Sequence, residues 1–276
     1  MKKRIFIFTG IVAALGAAIL SLNLKPDTKA QASQPDIYGK YGVTIDAATG
    51  KVLYGKNEHE TSSPASLAKM MTVLLLLEKV KPDEEITITQ NALNTESGSS
   101  KITLHAGEKL KRDEALKLML TISVDQVAES VAEHISGSKE EFVKLMNKRA
   151  KQLGAKHTGF HNASGADAIG HNISAYDLAV ITKKAIQYPQ VLANMNTVKT
   201  VVHTSQQEKE IANNGRKDLY DDPYAIGSKS GLTALSGYTL VTIDEKDGRR
   251  VINVVLKSDK EHLYKDAKTM GHYVLK

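Results

Sequence analysis

Pro64-Ala65-Ser66-Leu67-Ala68-Lys69-Met70-Met71-Thr72 leads into the apolar run Val73 to Leu77, and the rest of the chain is organised around this stretch. Met70, Met71 and Val73 to Leu77 are hydrophobic on nearly every side of a helix, which predicts an element buried in the core rather than laid on it. Ser66 and Lys69 stand three apart, on one face at the start of that helix. A hydroxyl beside an amine is a nucleophile beside a possible base, although the bland reading is a capping Ser next to an exposed Lys. Spacing alone decides nothing: Ser136 and Lys139 repeat it within Ser136-Gly137-Ser138-Lys139, a loop composition with no apolar run attached, which reads as a solvated turn.

On the N-terminal side, Gly42 to Asp46 and Lys51 to Tyr54 are β-prone runs around a short Gly-ended loop, the pattern of a hairpin. The Ser66 helix is expected to run to Val80, where Lys81-Pro82 stops it. Ile86 to Thr89 is strand-like, and Ser97 to Ser100 reads as a surface loop. Arg112 to Leu120, Val124 to Ile135 and Glu140 to Leu153 carry helical periodicity, so the central third is a helical cluster. Gly154 to Gly170 is irregular, and Ser174-Ala175-Tyr176-Asp177 resembles a capping box opening a further helix. Val198 to Val202 is strand-like, and a polar loop, Gln206 to Pro223, follows. Gly237 to Ile243 alternates, Glu245-Lys246-Asp247-Gly248 turns, Arg250 to Leu256 returns, and a last helix runs from about Lys260 to Leu275. Strands at both ends around a helical middle predict an α+β domain, with N- and C-terminal segments sharing one antiparallel sheet flanked by helices.

The first residues read as a secretory signal: the basic Met1-Lys2-Lys3-Arg4, the apolar stretch Ile5 to Leu24, and the cleavage pattern Ala30-Gln31-Ala32. Cleavage would leave a mature chain from Ser33; the alternative is an uncleaved membrane anchor, because the apolar stretch is long for a signal. Either reading places the bulk of the protein outside the cytoplasm, as one domain over residues 33–276. The net charge is +6, but residues 1–32 hold five Lys/Arg against one Asp, leaving 32 Lys/Arg against 30 Asp/Glu in the remainder. That balance, with four Phe and no Trp, gives no nucleic-acid signal. Without cysteine there is no disulfide, Cys-ligated metal or thiol nucleophile. His157 and His161 are separated by Gly159 and Phe160, which argues against a helix aiming both at a metal, so no metal and no cofactor is expected.

Two further elements give the Ser66 pattern its meaning. Ser123-Val124-Asp125 lies at a turn between two helices, and Lys229-Ser230-Gly231 opens a strand. In this order, S-x-x-K, S-x-D and K-S-G resemble the signature of penicillin-interacting serine enzymes. From about Tyr41 onward the chain resembles the low-molecular-weight penicillin-binding proteins, the serine D-Ala-D-Ala carboxypeptidases, with a β-lactamase/transpeptidase-like fold. Thr49 to Leu53, Phe160 to Gly165, Ser174 to Ala179 and Ser236-Gly237-Tyr238 are similar to that family as well.

The resemblance implies that Ser66 attacks the carbonyl between two D-alanines of a peptidoglycan stem peptide and is acylated by β-lactam antibiotics. Lys69, if neutral, would take the proton; burial, the helix N-terminus and Lys229 favour that form. Ser123 would relay it to the leaving amine. The backbone N–H groups of Ser66 and Leu232 would form the oxyanion hole, and Lys229, Ser230, Gly231 and Thr233 would bind substrate around its terminal carboxylate. Arg250 is a candidate helper, with a solvated edge-strand Arg as the equal alternative. Ser230 replaces the family's Thr and keeps the hydroxyl. Asp125 replaces the usual Asn: an ionised carboxylate only accepts and tends to keep Lys69 charged, which predicts slow turnover unless Asp125 is protonated or turned away.

Two alternatives stand beside this. A β-lactamase of class A needs a Glu for deacylation, and Asn162-Ala163-Ser164-Gly165 occupies the stretch where its E-x-x-L-N context would fall. A weakly catalytic or non-catalytic penicillin sensor or wall-binding domain is made plausible by Asp125. The chain ends one helix after the sheet, so the C-terminal β domain and amphipathic anchor of larger family members are not expected, membrane contact depends on the N-terminal segment, and a monomer is expected.

Overall fold

The computed structural model describes residues 34–95, 102–213 and 221–276. The expected signal segment, the Ser97 to Ser100 loop and part of the polar loop before Pro223 lie outside these residues. Two antiparallel strands, β1 (Tyr41–Asp46) and β2 (Val52–Lys56), form the first hairpin. A short β3 (Thr61–Ser62) and a 3-10 turn, Ala65–Ala68, lead into α1 (Lys69–Lys79). The apolar run therefore forms a helix as expected, but Ser66 sits in the tighter turn before it. Next come β4 (Glu85–Thr87), α2 (Gln90–Leu93), β5 (Lys109–Lys111), α3 (Arg112–Thr121), α4 (Asp125–Ser136) and α5 (Lys139–Gln152). The two-residue β6 (Thr158–Gly159), β7 (Asn172–Ser174), α6 (Ala175–Ala185) and α7 (Pro189–Asn196) follow. β8 (Lys199–His203) pairs with β9 (Glu208–Ala212), and β10 (Ala225–Thr233), β11 (Gly237–Lys246) and β12 (Arg249–Ser258) precede the C-terminal helix, Leu263–Val274.

The main sheet has the order β10-β11-β12-β1-β2, antiparallel throughout, so N- and C-terminal segments do share one sheet. Asp247 and Gly248 have φ of 51° and 77° and close the β11–β12 hairpin in two residues, because Asp-Gly tolerates the left-handed geometry that matches strand twist. Side chains alternate across the sheet. Val43, Ile45, Val241, Ile243, Ile252 and Val254 enter the main core with α1, whereas Tyr54, Leu240 and Val255 face the C-terminal helix through Leu263, Ala267 and Met270. Every residue from Met70 to Leu76 in α1 is buried, which places the helix that carries Lys69 at the centre of the molecule. Such burial contributes on the order of 1.5–3 kcal/mol for each large apolar side chain.

The short β3, α2, β5, β6 and β7 were not anticipated, nor were two longer elements: α7, which starts on Pro189, and β9, which lies in the stretch read as polar loop. The expected capping box is half formed. Ser174 Oγ accepts the Asp177 N–H at 3.1 Å, but the Asp177 carboxylate turns away to take the His157 N–H and the Thr158 hydroxyl. Among the described residues, no helix is long and apolar enough to cross a membrane.

Candidate active site

The 3-10 turn delivers Ser66, half-buried, to the edge of the sheet beside β10. Its geometry depends on two close approaches. A Cβ on Gly165 would lie 1.8 Å from the Ala65 carbonyl oxygen, and one on Gly231 would lie 2.9 Å from Ser66 N. Gly165 has a φ of +92° as well, so both its conformation and its contact demand glycine. Ala65 itself has a φ of 49°, an uncommon conformation for a residue with a side chain.

Lys69, one turn on, is fully buried, and its Nζ has three partners: Ser66 Oγ at 3.1 Å, Asp125 Oδ1 at 2.5 Å and the Ser164 carbonyl at 2.6 Å. Asp125 is thus turned toward Lys69, forming an ion pair at the start of α4. Ser123 occupies the connection from α3 with a φ of 64°, and its Oγ accepts from Lys229 Nζ at 3.0 Å. Lys229 also donates to the Ser230 carbonyl at 2.6 Å. Burial, and then the neighbouring Lys69, push Lys229 down to about 7, against the pull of Asp125. The structure therefore brings Ser66, Lys69, Ser123, Asp125 and Lys229 into one cluster.

Of the remaining candidates, Gly231 backs onto Ser66, and Leu232 is 54% exposed at the rim. Thr233 is engaged on the rim: its Oγ1 accepts the Ser236 N–H at 3.1 Å and its hydroxyl reaches Asp167. Burial pulls the Asp167 carboxyl upward, but hydrogen bonds from Thr233, the Leu235 N–H and the Ser63 hydroxyl together outweigh it, so it lies below the ordinary carboxylate range. Asp167 thereby ties the segment before Ser66 to the β10–β11 turn. Arg250 is not brought to the cluster. It pairs with Glu245 at 2.6 Å and lies opposite it in the β11–β12 register, whereas Lys229 lies opposite Val241. That puts Arg250 at the other end of the sheet, with β11 between its strand and β10. Lys139 of the second S-x-x-K is anchored too, donating to the Asn91 carbonyl and Thr95 Oγ1, both at 3.0 Å.

The sequence offered no sign of the Ser164 carbonyl, because a backbone oxygen has no residue type; the Asn162 to Gly165 stretch was the nearest signal. Chemically, a hydroxyl within reach of an amine, a second hydroxyl on a second amine, and an edge strand alongside suit acyl transfer from an extended peptide.

A family model described as D-alanyl-D-alanine carboxypeptidase, peptidase S11, matches residues 28–260. The chain is 37% identical over 221 residues to D-alanyl-D-alanine carboxypeptidase DacF of Bacillus subtilis (strain 168), covering 78% of this chain and 56% of that one. It is 32% identical over 275 residues to D-alanyl-D-alanine carboxypeptidase DacD of Salmonella typhimurium, covering 94% and 68%. The chain thus spans 56% to 68% of the length of these curated relatives. The solved structure of a D-alanyl-D-alanine carboxypeptidase from Mycobacterium tuberculosis H37Rv shares the fold, with a TM-score of 0.81 at 24% identity over 89% of this chain and 94% of that one. With its three motifs gathered at one site and most of its length matched, the chain belongs to the D-alanyl-D-alanine carboxypeptidase family, peptidase S11.

Proposed function

We propose that the chain is a serine-type D-Ala-D-Ala carboxypeptidase that removes the terminal D-alanine of peptidoglycan stem peptides through an acyl-enzyme on Ser66. The observation that carries this is the Ser66–Lys69 contact at 3.1 Å with Ser123 held by Lys229 beside it. Ser66 Oγ attacks the penultimate carbonyl, its proton passes to the Lys69 amine, and the Ser66 and Leu232 N–H groups receive the developing oxyanion. Ser123, handed a proton from the lysine pair, gives it to the departing D-alanine nitrogen. Water then releases the acyl group.

Lys229 suits the substrate's carboxylate for a physical reason. Free, it is close to half charged at neutral pH; a bound carboxylate favours its ammonium form, so charge appears where it is needed. Ser230 and Thr233 add hydroxyls, and β10, the edge strand of the sheet, can pair with an extended peptide. The same geometry presents Ser66 to a β-lactam carbonyl, and the substrate class implies extracytoplasmic action, with residues 1–32 either cleaved as a signal or retained as an anchor.

Incubation with a D-Ala-D-Ala peptide and, separately, with penicillin tests the reading, with intact-chain mass spectrometry and free D-alanine as readouts. Released D-alanine together with a penicillin adduct is expected, and both vanish in Ser66→Ala. An adduct that persists in that variant removes Ser66 as nucleophile. The Lys69–Asp125 ion pair favours one second reading, a penicillin-binding sensor, which would give the adduct without released D-alanine.

A further inference from the structure

One turn beyond Asp125 on α4 stands a second acid, Glu129, only 2% exposed. Its Oε1 accepts the Ser164 N–H at 3.1 Å. Its Oε2 is buried with no hydrogen-bond partner among the described residues. Ser164 in turn places its carbonyl 2.6 Å from Lys69 Nζ. A single residue therefore joins Glu129 to the amine that faces Ser66.

The neighbouring backbone is pinned from other sides: Thr72 Oγ1 donates to the Ala163 carbonyl at 2.7 Å, and Asn162 Oδ1 accepts the Gly165 N–H at 2.7 Å. Among the described residues, only Glu129 accepts the Ser164 N–H. As a packing residue Glu129 is a poor choice, because a carboxylate with one oxygen unpaired is disfavoured in the interior relative to an apolar side chain of similar shape. Its place is explained by what it holds.

We propose that Glu129 is a positioning residue: by accepting the Ser164 N–H it fixes the Ser164 carbonyl on Lys69 and so aims the amine at Ser66 Oγ. Lys69 has three protons when charged and three partners in the structure. If the Ser164 carbonyl drifts, the amine is free to rotate toward Asp125, and the geometry with Ser66 loosens. This rests on the reading of Ser66 as nucleophile and Lys69 as its base.

The test compares Glu129→Gln and Glu129→Met with the wild type in the rate constant of penicillin acylation and in thermal midpoint. Gln retains a carbonyl oxygen for the Ser164 N–H and is expected to acylate within about threefold of wild type. Met keeps the shape but loses the acceptor, and is expected to acylate about tenfold more slowly, the size of one lost hydrogen bond in a transition state. Met removes the half-satisfied carboxylate but also leaves the Ser164 N–H without its acceptor, so its thermal midpoint is expected to stay within a few degrees of wild type. With a D-Ala-D-Ala peptide the loss in Met should fall on kcat rather than KM. Wild-type acylation in the Met variant, equal losses in Gln and Met, or a loss in Met that falls on KM alone would each overturn the inference. Absence of any wild-type adduct would instead remove the function reading, and this inference with it.

Discussion

Replacing Asp125 by Asn takes the negative charge away from Lys69 while leaving an oxygen in its place. In the structure Lys69 is fully buried, and its Nζ lies 2.5 Å from Asp125 Oδ1. A hydrogen bond to a charged acceptor is stronger than one to an amide oxygen by roughly 1–2 kcal/mol, so the carboxylate competes with Ser66 Oγ for the Lys69 nitrogen. Only the amine can take a proton from Ser66 Oγ, 3.1 Å away. If about half of that difference is recovered in the transition state, acylation of Asp125→Asn rises roughly 2- to 5-fold. Stopped-flow acylation by a fluorescent penicillin across about pH 5 to 9 measures it. Stability provides a second reading. Without its counter-charge the buried Lys69 loses a charged partner, so a thermal midpoint below that of wild type is expected. An Asn variant that acylates no faster than wild type at any pH would refute the view that Asp125 restrains Lys69.

Gly165→Ala would place a Cβ 1.8 Å from the Ala65 carbonyl, at a φ of +92°, so penicillin labelling should be lost and thermal denaturation should show destabilisation of roughly 1–3 kcal/mol. Labelling at the wild-type rate would show that the close approach is not needed to hold Ser66. Lys229→Met removes a buried amine held at about 7, which binds a proton in the unfolded chain up to its ordinary value near 10.5. The wild type therefore gains stability from this group as pH rises from about 7 to 10.5, by at most roughly 5 kcal/mol, and the variant does not. Chemical denaturation at pH 6.5 and pH 10 should show the difference between variant and wild type moving in favour of wild type at the higher pH; a constant difference would contradict the shift. Arg250→Ala should leave kcat/KM for a D-Ala-D-Ala peptide within twofold and stability within about 1 kcal/mol, because its pair with Glu245 is partly exposed and remote from Lys229. A tenfold fall in kcat/KM would return Arg250 to substrate handling.

What could be read in advance was what local chemistry dictates. Met70 to Leu77 has no polar face, so burial was the only stable outcome for its helix, and Asp247-Gly248 is a turn by its backbone preferences alone. The helix on Pro189 had signals that were missed: proline at the first helical position and Val191 and Met195 one turn apart, both buried. Strand β9 had none. Its Glu208-Lys209-Glu210-Ile211-Ala212 is exposed except at Ile211, and it is a strand because β8 pairs with it, a condition set by tertiary contact rather than propensity. Arg250 lies away from the cluster for a related reason. Its sheet was correctly inferred, but register and strand order place it at the far end, and neither is carried by the residue itself.

The three motifs were legible as residue types, whereas the means of holding them together were not. Ala65 and Ser123, which flank and supply the two hydroxyls, both adopt positive φ, at 49° and 64°. Such conformations cost on the order of 1 kcal/mol or more each and persist only where the surroundings over-determine them. Here the surroundings are identifiable. Ala65 is pressed between Gly165 and Gly231, with Thr239 Oγ1 bridging the Pro64 and Gly231 carbonyls at 3.4 and 3.2 Å. Ser123 is held by Lys229 on one side and by the Val124 N–H on the Leu118 carbonyl at 3.2 Å on the other. The strain is thus borne by Gly231 on β10, the Thr239 hydroxyl on β11, the Leu118 carbonyl on α3 and Gly165 of the 162–165 segment, which are separate in the chain and converge only in the fold. It follows that the site should be more sensitive to a methyl group at Gly165 or Gly231 than to loss of an exposed charge such as Arg250, although neither glycine takes part in the chemistry.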